Sequence, residues 1–202
     1  MKYNQLGRSG LFVSEICLGT MTFSGENFFG GVIGTLDQKA STKLVERSVA
    51  AGVNFIDTAD IYSQGESEKM NGQAIRDLGI PRSEIVLATK VFARMGPGVN
   101  DIGASRGHIM DGVARSLERL KMDYIDLYQI HQTDLVTPVE ETMRALDDLV
   151  RHGKVRYIAC STLSAWQVVE ANWIARSLGL DPFIACQERY SLLEREYEPS
   201  MA

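Results

Sequence analysis

Six short apolar runs, five of them followed by helix-patterned stretches, decide most of what this chain can fold into. They span residues 16–18, 53–56, 85–88, 124–130, 155–160 and 183–186. Most are nearly continuous, as in parallel strands covered on both faces. Between them run helical patterns. In 105–120, Ile109, Val113, Leu117 and Leu120 share one face. Pro138 opens a helix carrying Val139, Met143, Leu146 and Val150, which stops near Gly153. Ser164 is suited to cap a further helix, through about Leu178, with Gly179 and Pro182 beyond. Residues 2–14 read as a small hairpin turning at Gly7 to Gly10.

Strand and helix in alternation mean a parallel sheet with right-handed crossovers. Asp57 and Gln187, at corresponding strand ends, are 130 residues apart over four intervals. A unit thus takes roughly 30 residues, which suits a doubly wound sheet or an eight-fold barrel. The chain has 202 residues, net charge −5 and 45% hydrophobic residues. That composition excludes disorder as the main state, and the acidic balance argues against nucleic acid. No apolar run reaches the roughly 20 residues of a membrane helix, and the N-terminus has no signal-peptide pattern. Cys17, Cys160 and Cys186 have no CxxC spacing. They read as buried free thiols of a cytoplasmic protein rather than a disulfide framework. His108, His131 and His152 lack metal-ligand spacing, so no metal site is expected. His108, His152, Asp147 and Asp148 read as solvated helix residues.

The chemistry lies where the apolar runs stop. Successive runs end in Asp57, Lys90, His131, Ser161 and Gln187. In parallel α/β folds the carboxyl ends of strands converge on the active site. Asp57 and Lys90, on adjacent strands, can form an ion pair. Tyr62 follows Asp57 by five residues. An ammonium beside a phenol favours ionisation of the phenol. His131 can donate to a carbonyl oxygen, which completes a general-acid arrangement. Ser161 and Gln187 are neutral groups suited to an amide. Gly25, Gly30, Gly31 and Gly34 match neither GxGxxG nor GxxxxGK[ST] and read as a linker or a flexible loop.

Residues 57–62 (DTADIY) with Gly65, Ser67 and Glu68 resemble the signature of the aldo-keto reductases. So do 124–131 (YIDLYQIH), 153–158 (GKVRYI) leading into Cys160 and Ser161, Gly19 to Met21, and 88–90 (ATK). The similarity is greatest to the bacterial and potassium-channel β-subunit-like branch. It implies a TIM-type (β/α) barrel with an N-terminal hairpin, with about six of eight βα units present as one domain over 1–202. It implies reduction of an aldehyde or ketone by NADPH. Tyr62 would be the general acid, with Asp57, Lys90 and His131 completing a tetrad. Thr20, Met21, Asp57, Ser161, Thr162 and Gln187 would contact the cofactor. Thr162 stands where the family usually has Asn, which removes one amide contact.

The family's seventh and eighth strands, with an aromatic for the nicotinamide and basic residues for the phosphates, have no counterpart in the sequence. Weak NADPH binding and impaired turnover are therefore expected. An open barrel edge offers a route to self-association. The alternative is a non-catalytic cofactor-sensing or partner-binding module. Met21, Phe28, Phe29 and Phe92 are candidate apolar walls for a carbonyl substrate.

Overall fold

The computed structural model describes residues 1–24 and 36–201. The glycines between Gly25 and Gly34, and Phe28 and Phe29, lie outside the described residues.

An antiparallel hairpin leads: β1 (Tyr3–Gln5) pairs with β2 (Phe12–Ser14). Leu6 N–H donates to Leu11 O at 2.8 Å across the turn. Gly7 sits there at φ +57°, and a Cβ on it would lie 2.0 Å from Ile184 O. The turn therefore needs glycine for conformation and for contact with the chain ahead of the last strand.

A six-stranded parallel sheet follows: β3 (Cys17–Gly19), β4 (Phe55–Asp57), β5 (Val86–Val91), β6 (Ile125–Ile130), β7 (Val155–Ser161) and β8 (Cys186–Gln187). Its spatial order is the order in sequence, β3-β4-β5-β6-β7-β8. A doubly wound sheet would reverse order at a switch point. Monotonic order with right-handed crossovers keeps the helices on one face. The sheet is thus part of a barrel-type α/β fold, with six of its strands described.

The helices are α1 (Gln38–Ala50), α2 (Glu66–Asp77), α3 (Arg106–Leu120), α4 (Val139–Arg151), α5 (Ala165–Leu178) and the single turn α6 (Glu198–Met201). From α1 to α5 each packs on its chain neighbours. Local chemistry sets their starts. Asp37 Oδ1 accepts from Ala40 N–H at 2.8 Å, Ser105 Oγ from His108 N–H at 3.3 Å, and Gln167 reaches back to Ser164 N–H at 3.0 Å. Gly179, at φ +67°, ends α5.

Alternation along each strand divides the core. Ile56, Leu87, Val91, Ile158 and Cys160 join the helix-side core. Ala88, Leu127 and Ala159 line the other face with Phe55, Tyr157, Ile184 and Ala185. Asp57, Lys90 and Ser161 share the parity of that inner face.

Four expectations about exposure are corrected. Among the described residues Cys17, in β3 at one edge of the sheet, is exposed, and Cys186, in β8 at the other edge, is half-exposed. His108 is buried beneath α3 with no partner for Nε2 among the described residues. Asp147 is buried because its carboxylate accepts from Arg151 Nε at 2.5 Å and from Asp181 N–H at 2.9 Å, fixing the segment that leads to β8.

Candidate active site

Register brings the polar strand ends together. Asp57 lies opposite Ala88, Lys90 opposite Gln129, and Ser161 opposite Gln187. Lys90 is the hub. Its ammonium donates to Asp57 Oδ2 at 2.6 Å, to Thr58 O at 2.9 Å and to the Tyr62 hydroxyl at 3.3 Å. All three ammonium hydrogens thus have acceptors, although the side chain is only 2% exposed. Asp57 is held from its other side, where Gln129 Nε2 donates to Oδ1 at 3.0 Å. Gln187 Nε2 adds a longer contact to Oδ2 at 3.4 Å.

Tyr62 stands on the loop after β4. Ser63 and Gln64 follow it at φ +50° and +54°, left-handed conformations that non-glycine residues adopt at a cost of about 1–3 kcal/mol each. Asp60 N–H donates to Lys90 O at 3.2 Å and Tyr62 N–H to Ala59 O at 3.2 Å, which pins the turn to β5. The His131 ring meets the Tyr62 ring edge-on, with centroids 5.8 Å apart. Burial, then the Lys90 charge, push the His131 imidazole down to about 4. At neutral pH His131 is a neutral donor and acceptor, while Lys90 supplies the positive charge. The Tyr62 phenol thus lies against both the Lys90 ammonium and the His131 imidazole.

The expected cofactor contacts fall into two groups. Ser161 Oγ meets Thr162 Oγ1 at 3.2 Å, and Thr162, at φ +57°, donates its N–H to Gln187 O at 3.1 Å. Ser161, Thr162 and Gln187 thus form one cluster with hydrogen-bonding capacity left for an amide. Thr20 lies behind the site, fully buried. Its hydroxyl donates to Asp57 O at 2.9 Å and accepts from Asn71 Nδ2 at 2.8 Å. Met21 beside it is exposed, and Phe92 is half-buried.

Four residues of the quoted segments were given no role of their own in the sequence. Gln129 steadies Asp57 from two residues before His131, a position the inward alternation of β6 would have indicated. Glu68, fully buried, accepts from Thr89 Oγ1 at 2.6 Å and from Arg119 Nε at 2.6 Å, locking α2 to β5 and α3. Ser67 Oγ donates to Thr20 O at 2.8 Å and lies 2.9 Å from Thr58 Oγ1. Asp60 is buried, and neither carboxyl oxygen has a hydrogen-bond partner among the described residues. The adjacent Ile61 N–H offsets little of this. Burial, then the nearby Glu68, push the Asp60 carboxyl up to about 8. Among the described residues no His, Cys, Asp and Glu side chains gather as a metal site, and no helix is long and apolar enough to cross a membrane.

A parallel, sequentially ordered (β/α) sheet with a lysine, carboxylate, phenol and imidazole at its carboxyl end defines a barrel-type α/β protein with an acid–base site. The chain belongs to the aldo/keto reductase family, whose profile matches residues 15–201. It is 43% identical over 195 residues to the "Probable voltage-gated potassium channel subunit beta" of Oryza sativa subsp. japonica, covering 96% of this chain and 57% of that protein. It is 39% identical over 218 residues to versiconal hemiacetal acetate reductase of Aspergillus parasiticus, covering 100% and 62%. It is 39% identical over 222 residues to aldo-keto reductase AFTS1 of Alternaria alternata, covering 98% and 60%. The chain spans about three fifths of the length of these curated relatives.

Proposed function

We propose that the site serves NADPH-dependent reduction of an aldehyde or ketone to the alcohol, with Tyr62 as proton donor. The observation that carries this reading is the ammonium of Lys90, shared between the Asp57 carboxylate and the Tyr62 hydroxyl. Oxidoreductase activity is the coarser reading that the reductase names of the Aspergillus and Alternaria relatives support.

Each residue has a role that its geometry allows. A reduced nicotinamide, when bound, supplies a hydride. Ser161 and Gln187, with Thr162 where an amide would add one more contact, hold a carboxamide. Tyr62 gives its proton to the substrate's carbonyl oxygen. Lys90 stabilises the phenol oxygen as it loses that proton, and Asp57 keeps Lys90 charged and aimed. Neutral His131 donates an N–H toward the same oxygen and orients the substrate. Thr20 acts from behind by fixing the backbone of Asp57. Met21 and Phe92 form part of an apolar wall at the mouth.

The test follows NADPH consumption with a panel of aldehydes and ketones, alongside a fluorescence titration of NADPH and NADH. Tyr62→Phe should lower reduction by about 100-fold or more while leaving NADPH binding unchanged. Equal turnover by Tyr62→Phe would overturn the assignment. The rice relative's channel-subunit name motivates the second reading, a cofactor-sensing or partner-binding module. Saturable NADPH binding with no carbonyl turnover, unaffected by Tyr62→Phe, would favour it. The homo-oligomer expected through an open barrel edge belongs to either reading, and sedimentation tests it.

A further inference from the structure

The reductase reading leaves two sulfur side chains unused. Cys160, in β7, and Cys186, in β8, are register partners on neighbouring parallel strands. Register partners in a ladder project to the same side of the sheet, and neighbouring strands lie about 4.7–4.9 Å apart. That separation falls inside the roughly 4.4–6.8 Å between Cα atoms that a disulfide accepts. Both side chains belong to the helix-side layer, in which Cys160 is buried and Cys186 packs against the core while half-exposed at the edge strand.

A proton acceptor is also in place. Cys186 Sγ donates to Glu188 Oε1 at 2.9 Å, and the same oxygen accepts from Leu163 N–H at 3.1 Å. Glu188 is thereby anchored to the loop after β7 while it holds the thiol of β8. Outside the pair, the Cys160 thiol makes a long contact, 3.8 Å to Ala185 O. Interaction with Cys160 first, then burial and Glu188, push the Cys186 thiol far above the ordinary thiol range. At rest Cys186 is held as a protonated thiol.

We propose that Cys160 and Cys186 form a modification site, a cross-strand dithiol that a hydroperoxide oxidises to an intrachain disulfide with Glu188 as proton acceptor. Cys186, the less buried of the two residues, reacts first. Its proton passes to Glu188 as sulfur attacks the peroxide, the O–O bond breaks, and the departing alkoxide or hydroxide takes that proton back. Cys186 is now a sulfenic acid. The Cys160 sulfur then attacks it, the S–S bond forms, the S–O bond breaks, and water leaves with the Cys160 proton. Two thiols lose two electrons, and one hydroperoxide is reduced to an alcohol, or water, plus water. Because Cys186 ionises reluctantly, closure is slower than at a readily ionised thiol. The bridge would join β7 to β8 directly ahead of Ser161 and Gln187.

The readout is thiol chemistry, so it stands or falls independently of the reductase reading. The intact 202-residue chain is treated with hydrogen peroxide, alkylated with N-ethylmaleimide in denaturant and mapped by mass spectrometry. The expected product is one peptide pair joining Cys160 to Cys186, two hydrogens lighter and restored by dithiothreitol, with Cys17 alkylated throughout. Cys160→Ser should leave a Cys186 sulfenic acid that dimedone captures. Glu188→Gln tests the proton acceptor: slower closure is expected, whereas closure as fast or faster would show that Glu188 only holds the Cys186 thiol protonated and would overturn its role in the step. Phenylarsine oxide should bind the untreated chain one-to-one and fail to bind Cys160→Ser. This reports the spacing of the two thiols without any oxidation. Three alkylated cysteines after peroxide, over-oxidation of Cys186 with Cys160 still free, or cross-linking only through Cys17 would each overturn the proposal.

Discussion

Lys90 Nζ lies 2.6 Å from Asp57 Oδ2 in a pair whose side chains are 2% and 8% exposed. Such a pair is stable because every partner is satisfied: Lys90 also donates to Thr58 O and Tyr62, and Asp57 also accepts from Gln129. Removing one member strands the other charge in a dry site. Asp57→Asn should therefore lower unfolding stability by about 3–5 kcal/mol, and the Asp57→Asn/Lys90→Met double variant should recover part of that loss. Urea unfolding of the three chains measures it. A single variant as stable as the parent would show that water reaches the pair.

His131 offers a pH test. Its imidazole is pushed down to about 4 by burial and by Lys90, against about 6.5 in an unfolded chain. Between these values the unfolded chain binds more protons than the folded one. Stability from this group is therefore fully present above about 6.5 and is lost as pH falls toward 4. Proton NMR should show the His131 ring still neutral at pH 5.5. Ring titration near 6.5 would contradict the buried, Lys90-facing position, and His131→Gln should flatten the acid limb of stability.

Much of this site was legible in the sequence. Asp57, Lys90, His131, Ser161 and Gln187 stand where apolar runs stop, and a parallel fold gathers those positions. The recurring period alone leaves barrel and doubly wound sheet open, because the choice depends on strand order; the resemblance carried by DTADIY and YIDLYQIH implied the barrel, and the sequential strand order agrees with it. Side-chain exposure failed where long-range contacts decide it. Asp147 looks like helix surface until Asp181 N–H, 34 residues away, reaches it. His108 looks solvated until α3 packs. Cys17 lies in an apolar run and is nevertheless exposed, at an edge of the sheet that the described residues form. Asp60 sits inside the quoted DTADIY segment, yet its lack of a partner is visible only in three dimensions. The last strand is Cys186–Gln187 rather than 183–186, although Ile184 N–H already donates to Ile158 O of β7.

Gly72 tests the packing of α2 on α3. A Cβ at this position would lie 2.2 Å from Leu120 O, a backbone atom that cannot swing aside. Alanine is worth up to about 1 kcal/mol over glycine inside a helix. Overpacking against fixed backbone costs about 1–3 kcal/mol, so strain should win. Gly72→Ala should lower the urea midpoint, and a raised midpoint would mean that the two helices separate readily. Because Glu68, on the same helix, anchors Thr89 and Arg119, the variant should also loosen the neighbourhood of Lys90.

Asp60 carries the opposite pH signature to His131. Its carboxyl is raised from about 3.8 to about 8, mainly by burial and then by Glu68. Between those values the folded chain holds a proton that the unfolded chain has released. Stability from this group is thus complete below about 3.8 and falls as pH rises toward 8. Asp60→Asn keeps the shape and removes the ionisation. Its advantage over the parent in thermal unfolding should be small at pH 4 and grow steadily up to about pH 8, levelling off above. A difference independent of pH would show that Asp60 is ionised and solvated in the folded chain. A loss of stability at every pH would show that the carboxylate has a partner that asparagine cannot replace. The Tyr128 hydroxyl, buried and without a hydrogen-bond partner among the described residues, is held protonated by burial first and then by the nearby Asp60. Asp60→Asn should therefore ease its ionisation, which ultraviolet difference titration at alkaline pH can follow.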